Sequence, residues 1–420
     1  MVRARYAVRT IGVVAPSALV LAVACSSPYG EAPASPATGD AASSEATSEH
    51  VDAAASEPCQ RALPKGLPAT DDDPMTELEP FVIAVDTLDF TKKGDAKGFD
   101  LDGVCTCDTR PGNAHQGSPS CRGKEACDGE GGIDNAFGDL IASIQTDVVG
   151  GSSLLASLGD LSTDVRSGWR SVLLYLLHYN GLANDREVEI GLIPSDGIRS
   201  PTCPGSKEGT SGNFSPGLCG DDAWSTTPKG FIDGTPALRA VGYVNDYQLV
   251  GRAEGKASVP FGAAPLELGA PLITGKIVPL GEDMQPRALN QRPTTEKERR
   301  LFRIDDGQLV GRLPSSSLLA TVGNATLGPL ASKPNERVCM NPVYLLVRTK
   351  VCSALDVAAS PSFDFYENFS CDAISAGLTF TAKPAVLGPV YEAPPTLNDC
   401  YPVDGKPTKP TAYAPNYLCP

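Results

Sequence analysis

The sequence predicts a mainly β protein, folded as an antiparallel sandwich or a barrel-like sheet that is stapled by disulfides and carries one or two short helices. Three observations predict this class. The apolar runs are short, and 42 glycines and 37 prolines among 420 residues separate them, which is typical of strands joined by turns. Several runs alternate apolar and polar residues, as half-buried strands do. Thirteen cysteines supply material for a disulfide framework.

The first predicted elements are a strand, a helical stretch and a second strand. Apolar and polar residues alternate over Pro80–Phe90 (PFVIAVDTLDF), which predicts a strand. Apolar residues recur at helical spacing between Ile133 and Leu158, and a Gly-Gly pair interrupts them, so one or two helices are expected. The run Ser171–Tyr179 (SVLLYLLHY) favours a buried strand, although a buried helix has the same pattern over so short a run.

The rest of the chain continues the strand pattern. Turns rich in Gly, Asn and Pro separate the runs at the spacing of a sandwich or barrel, and Ser315–Val322 is expected to form a short helix. The further predicted strands are Glu187–Ile193, Tyr243–Ala253, Ala257–Gly262, Leu266–Val278, Gln308–Arg312, Val343–Arg348 and Leu378–Ala382.

Residues 1–24 have the layout of a secretory signal peptide. Three arginines in the first nine residues precede an apolar stretch at Ile11–Val23, and small residues lead up to Cys25. The apolar stretch is shorter than the roughly 20 residues that a permanent span needs. We therefore predict cleavage before Cys25 and lipidation of that cysteine, which would anchor the protein to a membrane of the cell envelope, at the outer membrane or cell surface. Plain secretion with cleavage near Ala24 is the alternative.

The mature chain divides by composition into a tether and a globular region. Residues 25–75 are dominated by Ala, Ser, Pro, Thr, Glu and Asp, and such a segment cannot offset its ordering entropy by burial. We predict that it is a disordered spacer, with Cys59 pinning its far end. Residues 76–420 form the mainly β region, which includes a Cys/Asp-rich loop subregion at 95–135.

Twelve cysteines follow Cys25, an even number in a chain sent to an oxidising compartment, so disulfides are expected. A local cluster contains Cys105, Cys107, Cys121 and Cys127. Disulfide geometry disfavours a bond across the CxC spacing, so Cys105 and Cys107 should each pair elsewhere. A zinc site built from the same four cysteines is the alternative, although it usually shows paired CxxC knuckles. The other expected pairs are Cys203 with Cys219, Cys339 with Cys352, and Cys371 with Cys400.

The Cys/Asp-rich loop offers one candidate metal site. Asp100 and Asp102 precede Gly103 on a tight loop (GFDLDGVCTC), and hard oxygen ligands in such a loop suit calcium. The candidate ligands are Asp100, Asp102, Asp128, Glu130 and Asp134. The DxDG and IDN pieces resemble the calcium-loaded, disulfide-stapled thrombospondin type 3 repeats, but no tandem array and no terminal Glu of an EF-hand loop is present. The alternative is that these Asp, Asn and Gly residues only form turns.

A second candidate site follows the strand at Ser171–Tyr179. Tyr179, Asn180, Asn184 and Asp185 could present polar groups beside an aromatic ring, a combination common on carbohydrate-binding surfaces. Asn-Gly and Asn-Asp also form turns without any ligand. Trp169 and Trp224 could act as stacking platforms, although tryptophans more often fill a core.

The charge and the motifs exclude several function classes. The net charge is −15 and becomes −18 when the signal arginines are removed, which disfavours a nucleic-acid partner. The mature chain has only three histidines, and neither His115 nor His178 is accompanied by a Gly-x-Ser-x-Gly turn. No phosphate-binding Gly loop, metalloprotease helix or redox CxxC motif occurs. Paired carboxylates could still hydrolyse a sugar, since their separation is a spatial property.

Several phrases of the chain resemble a group of bacterial lipoproteins that are plentiful in myxobacteria and have no assigned activity. The matching phrases lie across roughly residues 85–390 and read GFDLDGVCTC, CDGEGGIDNAFG, YNGLANDREVEIGL, YVNDYQLVGR, DGQLVGR and CDAISAGLTFTA. The resemblance implies export and lipid anchoring, and it implies no reaction.

Three functions are therefore open. The first is a lipid-anchored extracytoplasmic binding or structural protein, without catalysis, whose partner is a cell-surface polysaccharide or protein. The second is a calcium-stabilised adhesion-like protein. The third is an extracytoplasmic hydrolase that uses carboxylates, and the absence of catalytic motifs ranks it last.

Overall fold

We describe the fold from a computed structural model of the full chain. The predicted signal peptide, Cys25 and the predicted tether up to residue 58 lie outside the described residues. Within the described residues, no helix is both long enough and apolar enough to cross a membrane. The described residues are 59–91, 97–109, 117–123, 127–148, 161–209, 212–261, 265–327, 336–366, 368–392 and 419.

Eight antiparallel strands close into a barrel, so the protein is mainly β as predicted, and the barrel rather than the sandwich is the arrangement observed. Each barrel strand pairs with the barrel strand that follows it in the sequence, in the order β1-β2-β3-β7-β8-β10-β11-β12, and β12 pairs with β1 to complete the ring. The barrel strands are β1 (Phe81–Phe90), β2 (Ser171–Leu177), β3 (Asn184–Ser195), β7 (Arg239–Asn245), β8 (Gln248–Arg252), β10 (Leu266–Pro279), β11 (Phe302–Pro314) and β12 (Ala373–Val390). The other strands are β4 (Ala223–Thr226), β5 (Phe231–Ile232), β6 (Thr235–Pro236) and β9 (Lys256–Val259).

The length of β12 allows the barrel to close. This strand has 18 residues, and it pairs with β11 over Ala373–Ala382 and with β1 over Leu378–Ala385. Barrel closure needs a stagger between neighbouring strands, and a strand longer than its partners can supply it. Closure also leaves no unpaired edge in the ring.

Side chains alternate between the interior and the outer face of the barrel. Phe81 and Ile83 point into the main apolar cluster, whereas Val82 and Ala84 join a second cluster on the outside. The pairing of β1 with β12 shifts by one residue at Asp86, and this bulge re-phases the alternation. Leu88, at an even position, therefore faces the interior together with the odd-numbered residues before it.

A loop region covers the outer face near β1 and β2. Its strand β4 runs parallel to the end of β12, and Trp224, which is 2% exposed, packs there with Leu173 and Ile198. Because β2 is buried on both faces, its sequence is a continuous apolar run rather than an alternating one. Trp224 is consequently a core residue.

Four helices occur in the described residues, and each of them adds side chains to the interior cluster. Leu318, Leu319 and Val322 do so from the helix predicted near Ser315, and Phe137 does so from the first helix. Both predictions of helices are confirmed. The helices are α1 (Ala136–Asp147), α2 (Leu161–Arg166), α3 (Ser315–Asn324) and α4 (Val343–Ser353), and 3₁₀ turns lie at Glu298–Arg300, Val338–Met340 and Pro361–Phe363.

The strand predicted at Val343–Arg348 is wrong, because this segment begins helix α4. Its buried residues are Tyr344, Val347 and Val351, a spacing of three and four that belongs to a helix. Six residues are too short a run to show this repeat, which becomes visible only with Val351.

The single strand predicted at Tyr243–Ala253 is two strands. Asp246 and Tyr247 separate β7 from β8 and both have positive φ, 51° and 60°. Two such residues form the hairpin turn whose twist matches that of the flanking strands. Tyrosine is rare at this position, so the composition did not indicate the turn.

Five disulfides join described cysteines, and Cys339 is disulfide-bonded as well. The predicted pair Cys203–Cys219 is confirmed, and so is the expectation that Cys105 and Cys107 pair elsewhere. Two predicted pairs are wrong, those of Cys352 with Cys339 and of Cys371 with Cys400, because the fold brings other partners closer. The pairs are Cys59–Cys105, Cys107–Cys127, Cys121–Cys371, Cys203–Cys219 and Cys352–Cys419. Such a framework indicates an extracytoplasmic protein.

Part of the predicted tether, residues 59–75, lies against the globular region. The Cys59–Cys105 disulfide holds its start, which confirms the expected role of Cys59. The backbone oxygens of Lys65 and Gly66 accept hydrogen bonds from side chains of β7. The Asp73 carboxylate forms an ion pair with Arg292. The packed chain therefore begins before residue 76.

Candidate metal centre

The Cys/Asp-rich subregion packs as a lobe on the outer face of the barrel. Phe99 joins an apolar cluster with Val250, Leu272 and Val310 of strands β8, β10 and β11, and Leu101 packs against the same cluster. Asp100 and Asp102 alternate with Phe99 and Leu101 along the chain. These contacts therefore hold the two aspartates away from the barrel wall. The N–H of Asp134 donates to the carbonyl of Phe99 at 3.1 Å, which brings the IDN piece beside the DxDG piece.

Three of the predicted metal ligands converge. Asp100, Asp102 and Asp134 each offer a carboxylate oxygen, and these oxygens all lie within 4.8 Å of one another. The three residues are only 4%, 6% and 2% exposed. Oxygens on opposite sides of a calcium ion are separated by about 5 Å, because each Ca–O distance is about 2.3–2.6 Å. The separation in this cluster therefore matches the space that one calcium ion occupies.

Backbone N–H groups orient these carboxylates. Asp100 accepts from the N–H of Gly103 at 2.6 Å, and Asp102 accepts from the N–H of Val104 at 3.0 Å. Asp134 accepts from the N–H of Leu101 at 2.6 Å. Gly103 has φ +92°, a conformation that L side chains rarely adopt, so glycine is needed at this turn. Each carboxylate is thus held by a backbone N–H through one of its oxygens, and the other oxygen of Asp100 binds Arg61.

Two further aspartates surround this triad. The Oδ2 atom of Asp128 accepts from the N–H of Thr106 at 2.6 Å, and the charge of Asp128 raises the pKa of Asp134. Asp356 was not among the predicted ligands, but its charge also raises the pKa of Asp134 and its own side chain binds Ser375. Glu130, by contrast, is exposed and the structure does not bring it into the cluster.

The cluster is electrostatically unfavourable when all its carboxylates are ionised. Burial, followed by the charges of Asp102, Asp128 and Asp356, raises the pKa of Asp134 well above its usual value. Burial is also the main cause that raises the pKa of Asp128 and of Asp356 to about 7. Removal of carboxylates from water is costly unless opposite charge compensates it. A bound cation would supply that charge and would also reduce the repulsion between the carboxylates.

The cations nearby are already paired. The Arg61 guanidinium binds Asp100, with a side chain that is 42% exposed. The buried Arg312 binds Asp364 and donates to the carbonyls of Ala358 and Leu101 at 2.8 Å. In the described part of the chain, these two ion pairs leave Asp102, Asp128 and Asp134 without a basic partner.

A neutral oxygen, the Ser120 hydroxyl, also lies beside Asp102. Burial raises the pKa of Asp102, and the hydroxyl of Ser120 is the largest influence that opposes this rise. Ser120 is 3% exposed, and its Oγ atom has no hydrogen-bond partner of normal geometry among the described residues. A buried hydroxyl with an unused lone pair is a suitable additional ligand for a hard cation.

The sulfurs of the lobe cannot form the alternative zinc site. Cys105 pairs with Cys59, Cys107 with Cys127, and Cys121 with Cys371. Zinc binds cysteine as a thiolate, and a disulfide offers none. The metal chemistry of this lobe therefore depends on oxygen.

The second predicted site has internal hydrogen-bond partners. Tyr179 is 1% exposed, and its hydroxyl donates to the carbonyl of Leu182 at 2.8 Å. The Asn180 amide donates to Asp71 and to the carbonyl of Asn184 at 2.9 Å. The pKa of Asp185 is raised to about 6, mainly by burial.

The packed end of the predicted tether supplies further partners for that site. The N–H of Asn184 donates to Asp72 at 2.9 Å, and its side-chain amide donates to the same carboxylate at 3.1 Å. Asp185 accepts from the N–H of Asn180 at 2.6 Å. These contacts join the loop before β3 to itself and to Asp71 and Asp72. The role of the four polar residues toward a ligand stays a prediction.

The remaining aromatic and histidine candidates have structural contacts. Trp169 is partly buried, with the Arg170 guanidinium 4.5 Å from its ring centroid. The His178 ring is exposed and contacts the Glu77 carboxylate at 2.9 Å. His115 lies outside the described residues.

Comparison with known proteins found no matching family model, no matching curated protein and no matching solved structure.

Proposed function

We propose that this chain is an exported, lipid-anchored binding or structural protein in which a calcium ion fastens the Cys/Asp-rich lobe to the β-barrel. The observation that carries the proposal is the convergence of three buried carboxylates, from Asp100, Asp102 and Asp134, within 4.8 Å. Calcium takes six to eight oxygen ligands, and the cluster offers carboxylates together with the Ser120 hydroxyl.

The turn interpretation accounts for only part of this geometry. Side chains that form Asx turns explain the bonds from Asp100 to Gly103 and from Asp102 to Val104. Turns do not require the carboxylates to be buried, and they do not require Asp134 to approach from a segment more than 30 residues away. A cation explains why acidic groups from both segments meet in an interior position.

The position of the site supports a structural role for the ion. The DxDG piece and the IDN piece supply its ligands. They contact each other, residues 59–66 and the barrel. The N–H of Asp100 donates to the carbonyl of Ala62 at 2.9 Å, and the N–H of Ala62 donates to the carbonyl of Gly131 at 2.7 Å. Calcium would therefore stabilise the point where the tether meets the globular region.

The proposed anchor and the proposed partner are supported by the sequence alone. The signal layout and Cys25 support lipidation and membrane attachment through acyl chains, and the resemblance to bacterial lipoproteins agrees with this. The disulfides agree with export. A calcium-stabilised module held on a tether is suited to adhesion, with a cell-surface polysaccharide or protein as its partner and without catalysis.

Isothermal titration of the oxidised, non-acylated mature chain with calcium and with magnesium tests the proposal. Asp102→Asn should abolish or strongly weaken binding because it removes a charged ligand. Asp233→Asn is the matched control, since Asp233 is exposed in a left-handed turn position that asparagine also adopts. Absence of calcium binding by the unsubstituted chain would overturn the proposal, and equal binding by Asp102→Asn would place any site elsewhere.

A further inference from the structure

The three disulfides of the lobe differ in their access to solvent. Cys107 and Cys127, which bond to each other, are both exposed. Cys121 and Cys371 are 5% and 6% exposed, and Cys105 is 2% exposed, while its partner Cys59 is half-buried. Thiol–disulfide exchange requires access of the attacking thiolate to a sulfur atom. A reductant therefore reaches the Cys107–Cys127 bond before the other two.

This exposed bond positions an aspartate of the candidate metal centre. Cys107 follows Thr106 and Cys127 precedes Asp128. The N–H of Thr106 donates to Oδ2 of Asp128 at 2.6 Å, directly beside the disulfide. The bond and the hydrogen bond together hold residues 127–128 against residues 106–107.

The neighbouring contacts indicate what happens when the bond opens. The N–H of Cys107 donates to the carbonyl of Gly117 at 2.8 Å, so the Cys107 side keeps a backbone attachment. The other ligands, Asp100 and Asp102, remain held by the Cys59–Cys105 bond, whose Cys105 end is buried, and by their own turns. Reduction would release Cys127 and Asp128. The turn that follows, in which the N–H of Gly129 donates to the carbonyl of Ile133 at 2.9 Å, and most of the cluster would stay in place.

We propose that reversible reduction of the Cys107–Cys127 disulfide lowers the affinity of the lobe for calcium. The inference rests on the proposed calcium site. The reductant is a dithiol: its two thiol groups deliver two electrons and two protons, the Cys107–Cys127 sulfur–sulfur bond breaks to give two thiols, and the dithiol becomes a disulfide. Reoxidation reverses the step. The lobe thereby couples the redox state of the cell envelope to calcium occupancy.

The test compares calcium titrations of the full oxidised mature chain with those of two double variants. Cys107→Ser with Cys127→Ser removes the exposed bond, and Cys203→Ser with Cys219→Ser removes a bond of similar span, 16 residues against 20, in another loop. Loss of an interaction that orients a ligand typically weakens metal binding by about 10–100-fold. We expect a weakening of that size in the first variant and less than about twofold in the second.

A second measurement follows the unsubstituted chain. Graded dithiothreitol, followed by alkylation and peptide mass spectrometry, should label Cys107 and Cys127 before the other cysteines of the lobe. Calcium affinity should fall in step with this labelling. In an Asp128→Asn background the same reduction should change the affinity by less than about twofold, because the ligand that the disulfide positions is already lost.

The outcomes separate the two proposals. Failure of the oxidised, unsubstituted chain to bind calcium would overturn the metal site and this inference with it. Calcium binding of normal affinity by the folded Cys107→Ser and Cys127→Ser variant would overturn the redox coupling alone. Equal weakening in both double variants would show a general loss of stability, which would also overturn it.

Discussion

Replacement of Asp134 by asparagine is the sharpest test of the metal centre. Asp134 is 2% exposed and accepts a hydrogen bond from the N–H of Leu101 at 2.6 Å. Asparagine has nearly the same shape, and its amide oxygen can accept the same bond. The substitution therefore removes the charge that a cation needs and keeps the local packing.

The expected size of the effect follows from ligand linkage. Calcium at 100 times its dissociation constant stabilises the folded state by about 2.7 kcal/mol. The unit that contains the barrel runs from Ala55 to Pro420, and unfolding about 360 residues carries an entropy of about 0.8 kcal/mol per degree. Calcium should therefore raise the melting temperature of the unsubstituted chain by about 3–4 °C.

The assay is thermal unfolding of the oxidised chain with calcium and with excess chelator. Asp134→Asn should lose the calcium shift, and its melting temperature in chelator should equal or exceed that of the unsubstituted protein. Asp233→Asn should keep the full shift. If Asp134→Asn retains a shift of 3–4 °C, the buried carboxylates do not bind the ion and the reasoning fails.

Two further predictions concern charge in the lobe. The raised pKa of Asp128, about 7, means that the folded state holds this proton between about pH 4 and 7 more firmly than the unfolded state. Its contribution to metal-free stability is therefore fully present below about pH 4 and is lost progressively as the pH rises to about 7. Asp128→Asn should exceed the unsubstituted protein in urea midpoint by more at pH 8 than at pH 5, and an equal difference at both pH values would contradict this. Arg312→Met should cost about 3–5 kcal/mol because it leaves Asp364 buried without its partner, whereas Arg303→Met, which breaks a more exposed pair, should cost less than about 1 kcal/mol. Urea denaturation measures both, and similar losses would argue against a special role for the buried pair.

The sequence predicted those features that depend on neighbouring residues. The alternation at β1, the short helix at Ser315 and the DxDG turn each follow from local side-chain preference, and the structure contains all three. The Cys203–Cys219 pair was predictable because a single loop separates the two cysteines. Helix α4 was not predictable from Val343–Arg348 alone, because its repeat of buried residues extends to Val351.

The site depends on contacts between distant segments, which the sequence left open. Asp356 approaches the DxDG loop through a fold in which Cys121 and Cys371, 250 residues apart, form a disulfide. The cysteines near the aspartates of the site indicated that distant segments meet there. Which cysteines pair could not be read from their spacing.

What the sequence by itself determined was the class of fold and the pair of aspartates in a tight turn, because backbone preference and local periodicity act over a few residues. Only the tertiary structure decided that the sheet closes through β12 and β1, that Asp134 joins Asp100 and Asp102 while Glu130 stays outside, and that the exposed disulfide lies beside Asp128. These outcomes depend on which surfaces pack together in three dimensions, and burial then changes the charge chemistry of the residues that meet there.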